Sequence, residues 1–182
     1  MNQDIGRAIV FSMPVVSAAV SLILISLDTT RSSNTVDRKI HYNMIAVYCL
    51  MILFWSGLVM HSIARDTFIA YLPVFFSSFA FIPVFLYRIT HIITDTGERK
   101  LFPACHFILP ACLTLIICAI ALAVPLRQRW AAIYDNEVNL TSAIIDITFI
   151  VCILLCILYS WLSLLRICLL YTSPSPRDGL LS

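Results

Sequence analysis

Long apolar runs separated by short polar segments dominate this chain. Five runs, at residues 8–27, 44–63, 67–87, 102–126 and 143–165, carry very few charges. A helix rises about 1.5 Å per residue, so about 20 residues cross a bilayer core of about 30 Å. The runs are apolar on all sides, whereas strands of a membrane barrel alternate polar and apolar positions. The pattern predicts an all-α, polytopic transmembrane helical bundle of about five spans within residues 1–167.

Composition supports the same class. Hydrophobic residues make up 60% of the 182 residues, charged residues only 12%, and the mean hydropathy is +0.94. A soluble domain carries about 25% charged residues, so a water-soluble fold is excluded. The net charge of +2 is too small to indicate nucleic-acid binding. The seven cysteines form no CxxC pair or metal-type cluster, so neither a metal site nor a disulfide is expected.

The distribution of Lys and Arg predicts the orientation. With five spans, one side of the membrane carries Arg7, Arg65, Arg127 and Arg129, and the other carries Arg31, Arg38, Lys39, Arg88, Arg99, Lys100 and Arg166. Cytoplasmic loops carry the excess of basic residues. We therefore expect a multi-pass membrane protein with its N-terminus outside and its C-terminus in the cytoplasm.

Asp146 is an acidic residue near the start of the fifth apolar run. An ionisable group inside a bilayer is unfavourable and is a default functional candidate. Residues 147–165 are long enough to span without it, so two alternatives stay open. Asp146 lies either at the outer headgroup level or inside the membrane, as a ligand or ion-pair group.

His106 and Pro110 lie four residues apart at the start of the fourth run. Proline lacks an N–H, so on a helix it leaves the carbonyl four residues earlier without its usual donor. The pair therefore predicts either a hinge that responds to a signal or an ordinary proline near a helix start. Pro73 and Pro83 in the third run raise the same two alternatives.

Four residues are predicted to anchor helices at the membrane surface: Arg88, His91, Trp130 and Trp161. Long basic side chains reach the headgroups from a helix end, and tryptophan is enriched at both interfaces. No GxSxG, HExxH, P-loop or glycine-rich nucleotide motif is present. We therefore expect no enzymatic activity, no catalytic residues and no cofactor, and the expected partner is the lipid bilayer.

The C-terminal residues 168–182 differ in character from the rest of the chain. The segment LLYTSPSPRDGLLS is polar and proline-punctuated. It is similar to a tail found in proteins from metagenomic assemblies in which sequencing-adaptor DNA has been translated. The tail is therefore predicted to be non-native and is excluded from fold inference. The alternative is a genuine cytoplasmic tail.

Three segments resemble one known family. They are FLYRITHIITDTGERKLF after the third run, the His106–Pro110 pattern, and VPLRQRW at the end of the fourth run. Over residues 8–167 the chain resembles the N-terminal membrane region of AraC-type transcriptional regulators of Bacteroides-like bacteria. The resemblance implies a multi-pass sensor in the bacterial inner (cytoplasmic) membrane whose helix packing controls a cytoplasmic helix-turn-helix domain.

That domain is absent from this sequence, so the resemblance implies a fragment that contacts DNA only through the missing part. A homodimer is a further expected partner arrangement. Two other functions remain open at this point. The chain is alternatively the membrane region of a sensor histidine kinase, or a small transporter or channel-like membrane protein.

Overall fold

The computed structural model describes residues 2–31, 34–94, 102–135 and 139–172. Within them the chain forms six α-helices and one 3₁₀ turn. They are α1 (Asn2–Arg31), α2 (Thr35–Ile63), α3 (Arg65–Ile93), the 3₁₀ turn Ala104–Phe107, α4 (Ile108–Ala123), α5 (Leu126–Tyr134) and α6 (Leu140–Thr172).

Five segments are long and apolar enough to cross a membrane, namely α1, α2, α3, the 3₁₀ turn together with α4, and α6, which confirms the predicted fold class. Most of these helices extend beyond the predicted apolar runs at one or both ends, because flanking polar residues are helical too. At α2, for example, the Asn34 side chain accepts a hydrogen bond of 3.0 Å from the Val36 N–H. This N-cap starts the helix well before the predicted residue 44.

Helix α5 was not predicted as a helix. Its residues 127–134 fall in the connection between the fourth and fifth predicted runs, and Leu126 is the last residue of the fourth run. Pro125 precedes this short helix and Asp135 follows it. Residues 99 and 100, counted in the charge bias, and residues 173–182 of the predicted tail lie outside the described residues.

Helix α3 lies at the centre of the bundle. It packs against α2 on one side and against α4 and α6 on the other, while α1 packs along α2. Only Ala64 separates α2 from α3, and its N–H bonds to the Met60 carbonyl at 2.8 Å. Helix α5 contacts α3 and α6. The helices that build the core therefore meet on a single central helix.

Buried positions recur along α4 and α6 with spacings of three and four residues. This heptad-like pattern turns one face of each helix toward α3. The buried core consists of Phe68, Leu72, Phe75, Phe76, Ala80 and Val84 from α3, Leu113, Ile117 and Ile120 from α4, and Ile145, Cys152, Leu155 and Tyr159 from α6. In a bilayer, close packing of this kind, rather than exclusion of water, holds helices together.

The outer faces of the helices are apolar as well. On α6 they include Ile147, Leu154 and Ile157, which are 60%, 56% and 61% exposed, and α1 exposes Met13 and Leu24 to a similar degree. Monomeric soluble proteins rarely expose continuous apolar surface on this scale. The surface is therefore suited to lipid acyl chains, as the sequence predicts.

Candidate functional site

A polar contact between α6 and the start of α4 joins two elements that are far apart in sequence. The Tyr159 hydroxyl lies 3.1 Å from Nδ1 of His106 and 3.3 Å from the His106 carbonyl oxygen. Tyr159 is only 6% exposed. One buried hydroxyl therefore meets both polar groups of the same histidine.

Pro110 explains why the His106 carbonyl is free to accept this bond. It lies four residues after His106, is fully buried, and has no N–H to donate back. The chain forms the 3₁₀ turn up to Phe107 and becomes an α-helix only at Ile108. A tyrosine has one hydroxyl hydrogen, so both contacts form together when Tyr159 donates to the carbonyl and accepts from a protonated Nδ1.

Aromatic rings enclose this contact. Tyr87 lies 5.4 Å from the His106 ring, 5.5 Å from Tyr159 and 5.8 Å from Phe102, measured between ring centres. Phe102 lies 5.0 Å from His106. We call Tyr87, Phe102, His106 and Tyr159 the His106 cluster. It joins α3, the 3₁₀ turn and α6 at one end of the bundle.

Two arginines flank the His106 cluster. The guanidinium carbon of Arg166 is 5.9 Å from the centre of the Tyr87 ring, and that of Arg88 is 5.9 Å from the ring centres of both Phe102 and Phe107. These are cation–π distances. The cluster therefore carries positive charge on its border.

A second cross-helix contact lies at the opposite end of α3. Arg129 of α5 is 6% exposed. Its Nε donates to the Val124 carbonyl and its Nη1 to the Ile69 carbonyl, both at 3.1 Å. We call these three residues the Arg129 clasp. It fastens α5 to the end of α4 and to α3.

The Ile69 carbonyl is free for the same reason as that of His106. Pro73 lies four residues after Ile69 inside α3 and offers no N–H. Arg129 supplies the missing donor from another helix, just as Tyr159 does for His106. Ile69 and Tyr87 are about 27 Å apart along α3, at about 1.5 Å per residue, so the two contacts mark opposite ends of the bundle.

Aromatic and charged side chains surround the Arg129 clasp. The Tyr134 ring lies 4.6 Å from Trp130 and 5.4 Å from His61, and the Arg65 guanidinium carbon is 5.2 Å from its centre. Burial raises the pKa of the Tyr134 hydroxyl, while Arg65 opposes and Asp66 adds to that rise. This hydroxyl is therefore neutral at physiological pH.

A surface pocket of about 280 Å³ adjoins this group. It is lined by Asp66, Ile69, Leu126, Arg127 and Trp130. The lining combines one acidic, one basic and one aromatic side chain with aliphatic walls. Its position beside the Arg129 clasp makes it a candidate place for a small ligand to act on the α3–α5 contact.

No family model matches this sequence, and no curated protein or solved structure was found to be similar to it.

The structure brings together two of the three predicted signal residues. His106 and Pro110 lie at the same site, where the proline frees the histidine carbonyl for Tyr159. Asp146 is exposed on the second turn of α6, toward the other end of the helix, and does not join them. Its role as a ligand group or an interfacial residue stays a prediction.

The four predicted anchors have different surroundings. Trp161 is 59% exposed on α6, whereas Trp130 is partly buried against Tyr134. Arg88 is partly buried over aromatic rings. His91 is 6% exposed and its ring lies 5.5 Å from Phe102, so it faces the bundle. Their anchoring role stays a prediction.

The sequence alone does not indicate that Tyr159 and Arg129 are partners of the proline-freed carbonyls. The prolines gave a partial signal, because each marks a carbonyl four residues earlier that needs a donor. The donor itself is distant in sequence, and nothing in the local pattern of residues 124–134 or 155–163 distinguishes it. Arg129 was counted only as a loop charge.

Proposed function

We propose that this chain is the membrane-embedded sensor and signal-transduction region of an AraC-type transcriptional regulator. The resemblance over residues 8–167 supports the family. The arrangement of polar groups supports the mode of action. A polar contact lies at each end of the bundle. Helix α3 accepts the Arg129 hydrogen bond at one end, and its Tyr87 packs on Tyr159 at the other.

The observation that carries the proposal is the pair of proline-freed carbonyls. At one end Arg129 holds α3 to α5, and at the other Tyr159 holds α6 to the start of α4. We infer two packing arrangements of the bundle, one with each of these external bonds made and one with it broken. A signal that binds one arrangement more tightly raises the population of that arrangement and lowers the population of the other.

In this scheme the ligand acts at the α3–α5 end and the response emerges at the His106 cluster. The pocket beside Arg127 and Trp130 adjoins the Ile69 carbonyl to which Arg129 donates. A change there moves α3 relative to its neighbours. Because Tyr87 of α3 packs on Tyr159 of α6, the displacement reaches α6 at the other end.

The centre of the bundle favours signalling over transport. Between the two polar ends most of the described core is apolar, with Phe76, Ala80, Ile117 and Leu155 in one cluster, and the Oγ1 of Thr114 on α4 is buried there without a hydrogen-bond partner. The buried hydroxyls of Ser78 and Thr148 bond to carbonyls of their own helices. A permeation path needs polar groups or a water-filled cavity through this region.

The proposed setting is the bacterial inner membrane, with the N-terminus outside and the C-terminus in the cytoplasm. The ligand pocket then faces outward and the His106 cluster faces the cytoplasm. The excess of basic residues on the side of Arg31, Arg88 and Arg166 supports this orientation. DNA is contacted only through a domain beyond this sequence, and a homodimer matches the usual symmetry of oligomers.

Extending the open reading frame beyond codon 168 in the source DNA tests the proposal. A helix-turn-helix domain supports the regulator. A phosphoacceptor histidine followed by ATP-binding motifs identifies a sensor kinase instead, and a stop codon after one more helix identifies a transporter-like protein. Either of the last two outcomes overturns the proposal.

A further inference from the structure

The surface pocket beside the Arg129 clasp is formed by one face of each of two helices. Asp66 and Ile69 line it from α3, and Arg127 and Trp130 line it from α5. Residues three apart lie on the same side of a helix, as the members of each pair do. Leu126, one turn before Trp130, completes the lining. The pocket is therefore a cleft between α3 and α5, and a ligand in it contacts both helices.

The Arg129 clasp sets the width of this cleft. Arg129 of α5 donates to the carbonyl of Ile69, the α3 residue that lines the pocket, at 3.1 Å. The two residues are 6% and 1% exposed, so the contact between them is buried. A site whose walls are already held together loses little conformational freedom when a ligand binds. The α3 wall and the α5 wall are therefore held ready for a ligand of one size.

The cleft presents two opposite charges that are open to solvent. The Asp66 carboxylate and the Arg127 guanidinium both line it, and both residues are exposed. Asp66 directly precedes the apolar run 67–87 and Arg127 directly follows the run 102–126, so both lie where their helices leave the hydrocarbon core. The structure describes both charges and does not pair them with each other. A molecule that carries both complementary charges therefore fits between them.

The lining also indicates the chemistry of each half of the ligand. A carboxylate such as Asp66 attracts an ammonium group, and the ring of Trp130 adds a cation–π attraction for the same group. The planar guanidinium of Arg127 binds a carboxylate through two parallel hydrogen bonds. The volume of about 280 Å³ lies below the range of about 300–1,000 Å³ that is typical of drug-sized ligands. The ligand is therefore a small one.

We propose that this cleft binds a small zwitterion of the amino-acid type. Its ammonium group lies at Asp66 and Trp130, its carboxylate at Arg127, and an apolar side chain against Leu126. The inference rests on the proposed function, because it names the class of signal that the sensor receives. A bound zwitterion ties α3 to α5 beside the Arg129 clasp, so it favours the arrangement in which the clasp is made.

Thermal unfolding and calorimetry of the detergent-solubilised chain test the site. Each of the twenty standard amino acids is added at millimolar concentration, and we expect those with apolar side chains to raise the melting temperature most. Isothermal titration calorimetry then compares the best of them with its carboxamide, which lacks the carboxylate, and with its N-acetyl derivative, which lacks the ammonium group. Each derivative is expected to bind about tenfold more weakly, because one charged hydrogen-bonding group is lost.

Two substitutions assign the charges to the two walls. Asp66→Asn is expected to weaken binding of the amino acid about tenfold and to abolish its preference over the N-acetyl derivative. Arg127→Gln should weaken binding equally but abolish the preference over the carboxamide. A purely structural role of either residue would lower all three affinities together and leave both preferences intact. Asp37→Asn and Arg38→Gln, at exposed positions in α2, make the same charge changes and should leave the affinity unchanged.

Four outcomes overturn the proposal. The first is that none of the twenty amino acids raises the melting temperature. The second and third are equal binding of the carboxamide, which assigns a site for cations, and equal binding of the N-acetyl derivative, which assigns a site for anions. The fourth is an equal loss of affinity in the control variants. If Asp66→Asn or Arg127→Gln is unfolded, the two derivatives measured on the unmodified chain decide.

Failure of this inference is distinguishable from failure of the proposed function. A helix-turn-helix domain beyond codon 168 without binding of any amino acid supports the regulator and rejects this ligand. Binding with both preferences, together with kinase motifs or a stop codon beyond codon 168, supports the ligand and rejects the regulator.

Discussion

The hydroxyl of Tyr159 on α6 takes the place of the backbone N–H that Pro110 cannot supply to the His106 carbonyl, at a distance of 3.3 Å. Arg129 does the same for Ile69 where Pro73 interrupts the ladder of α3. In lipid, a backbone group without a partner is strongly unfavourable. Each proline thereby turns a bond within one helix into a bond between elements that are far apart in sequence.

Tyr159→Phe is expected to destabilise the protein by about 1–2 kcal/mol, because it leaves the His106 carbonyl and Nδ1 without their shared partner. Thermal unfolding in detergent, followed by circular dichroism, measures the effect. Tyr42→Phe is the control, since Tyr42 is 55% exposed. Equal melting temperatures for the two variants would contradict the assignment.

Pro110→Ala is expected to uncouple His106 from Tyr159. Alanine restores an N–H four residues after His106, so the carbonyl gains a local donor. The substitution also removes buried volume, so its own effect on stability is not diagnostic. A double-mutant cycle isolates the coupling: Tyr159→Phe should cost less stability in the Pro110→Ala background than in the parent. If the two substitutions change the free energy of unfolding by strictly additive amounts, Pro110 does not control the bond between His106 and Tyr159.

Arg129→Gln is expected to destabilise the protein by about 2–3 kcal/mol, because charged hydrogen bonds to the Ile69 and Val124 carbonyls are lost. Arg127→Gln removes the same charge two residues earlier from an exposed position and should change stability little. The comparison is made by thermal unfolding in the same detergent. If both variants melt alike, the buried guanidinium does not stabilise the α3–α5 contact.

Gly57→Ala is expected to destabilise the α2–α3 contact by about 1–3 kcal/mol through overpacking. A Cβ at Gly57 meets Cδ2 of Phe75 at 2.5 Å, and that ring is held by stacking on Phe54 at 5.0 Å between centres. A Cβ at Gly6 would meet nothing within 4 Å, so Gly6→Ala is the control and is neutral or slightly stabilising. A melting temperature for Gly57→Ala equal to that of the parent contradicts the close approach.

The five spans were predictable because each leaves a long apolar run in the sequence, and length alone decides whether such a run crosses a bilayer. The ends of the helices were less predictable. N-cap residues such as Asn34 and polar helical turns extend the helices beyond the apolar runs. Hydropathy does not detect these extensions. Helix α5 was missed because its residues are mixed and its helicity depends on packing against α3 and α6.

The candidate site was only half predictable. His106 and Pro110 stand out locally, since a proline marks the carbonyl four residues before it. Tyr159 and Arg129 do not stand out, because their partners lie on other elements and only three-dimensional packing brings them together. For the same reason Arg129 contributed to the charge bias as if it were a loop residue, although the structure buries it.

We propose that the Arg129 clasp and the His106 cluster lie on opposite sides of a membrane. Single-cysteine variants test it most directly, in a background whose native cysteines are replaced by alanine or serine. Asp66→Cys, at the start of α3, and Thr94→Cys, at its end, are treated with a membrane-impermeant thiol reagent in sealed right-side-out and inverted vesicles. We expect each cysteine to be labelled in only one vesicle type, with Asp66→Cys labelled in one type and Thr94→Cys in the other. Labelling of both positions from the same side, or release of the unlabelled chain into an alkaline carbonate wash, would contradict it.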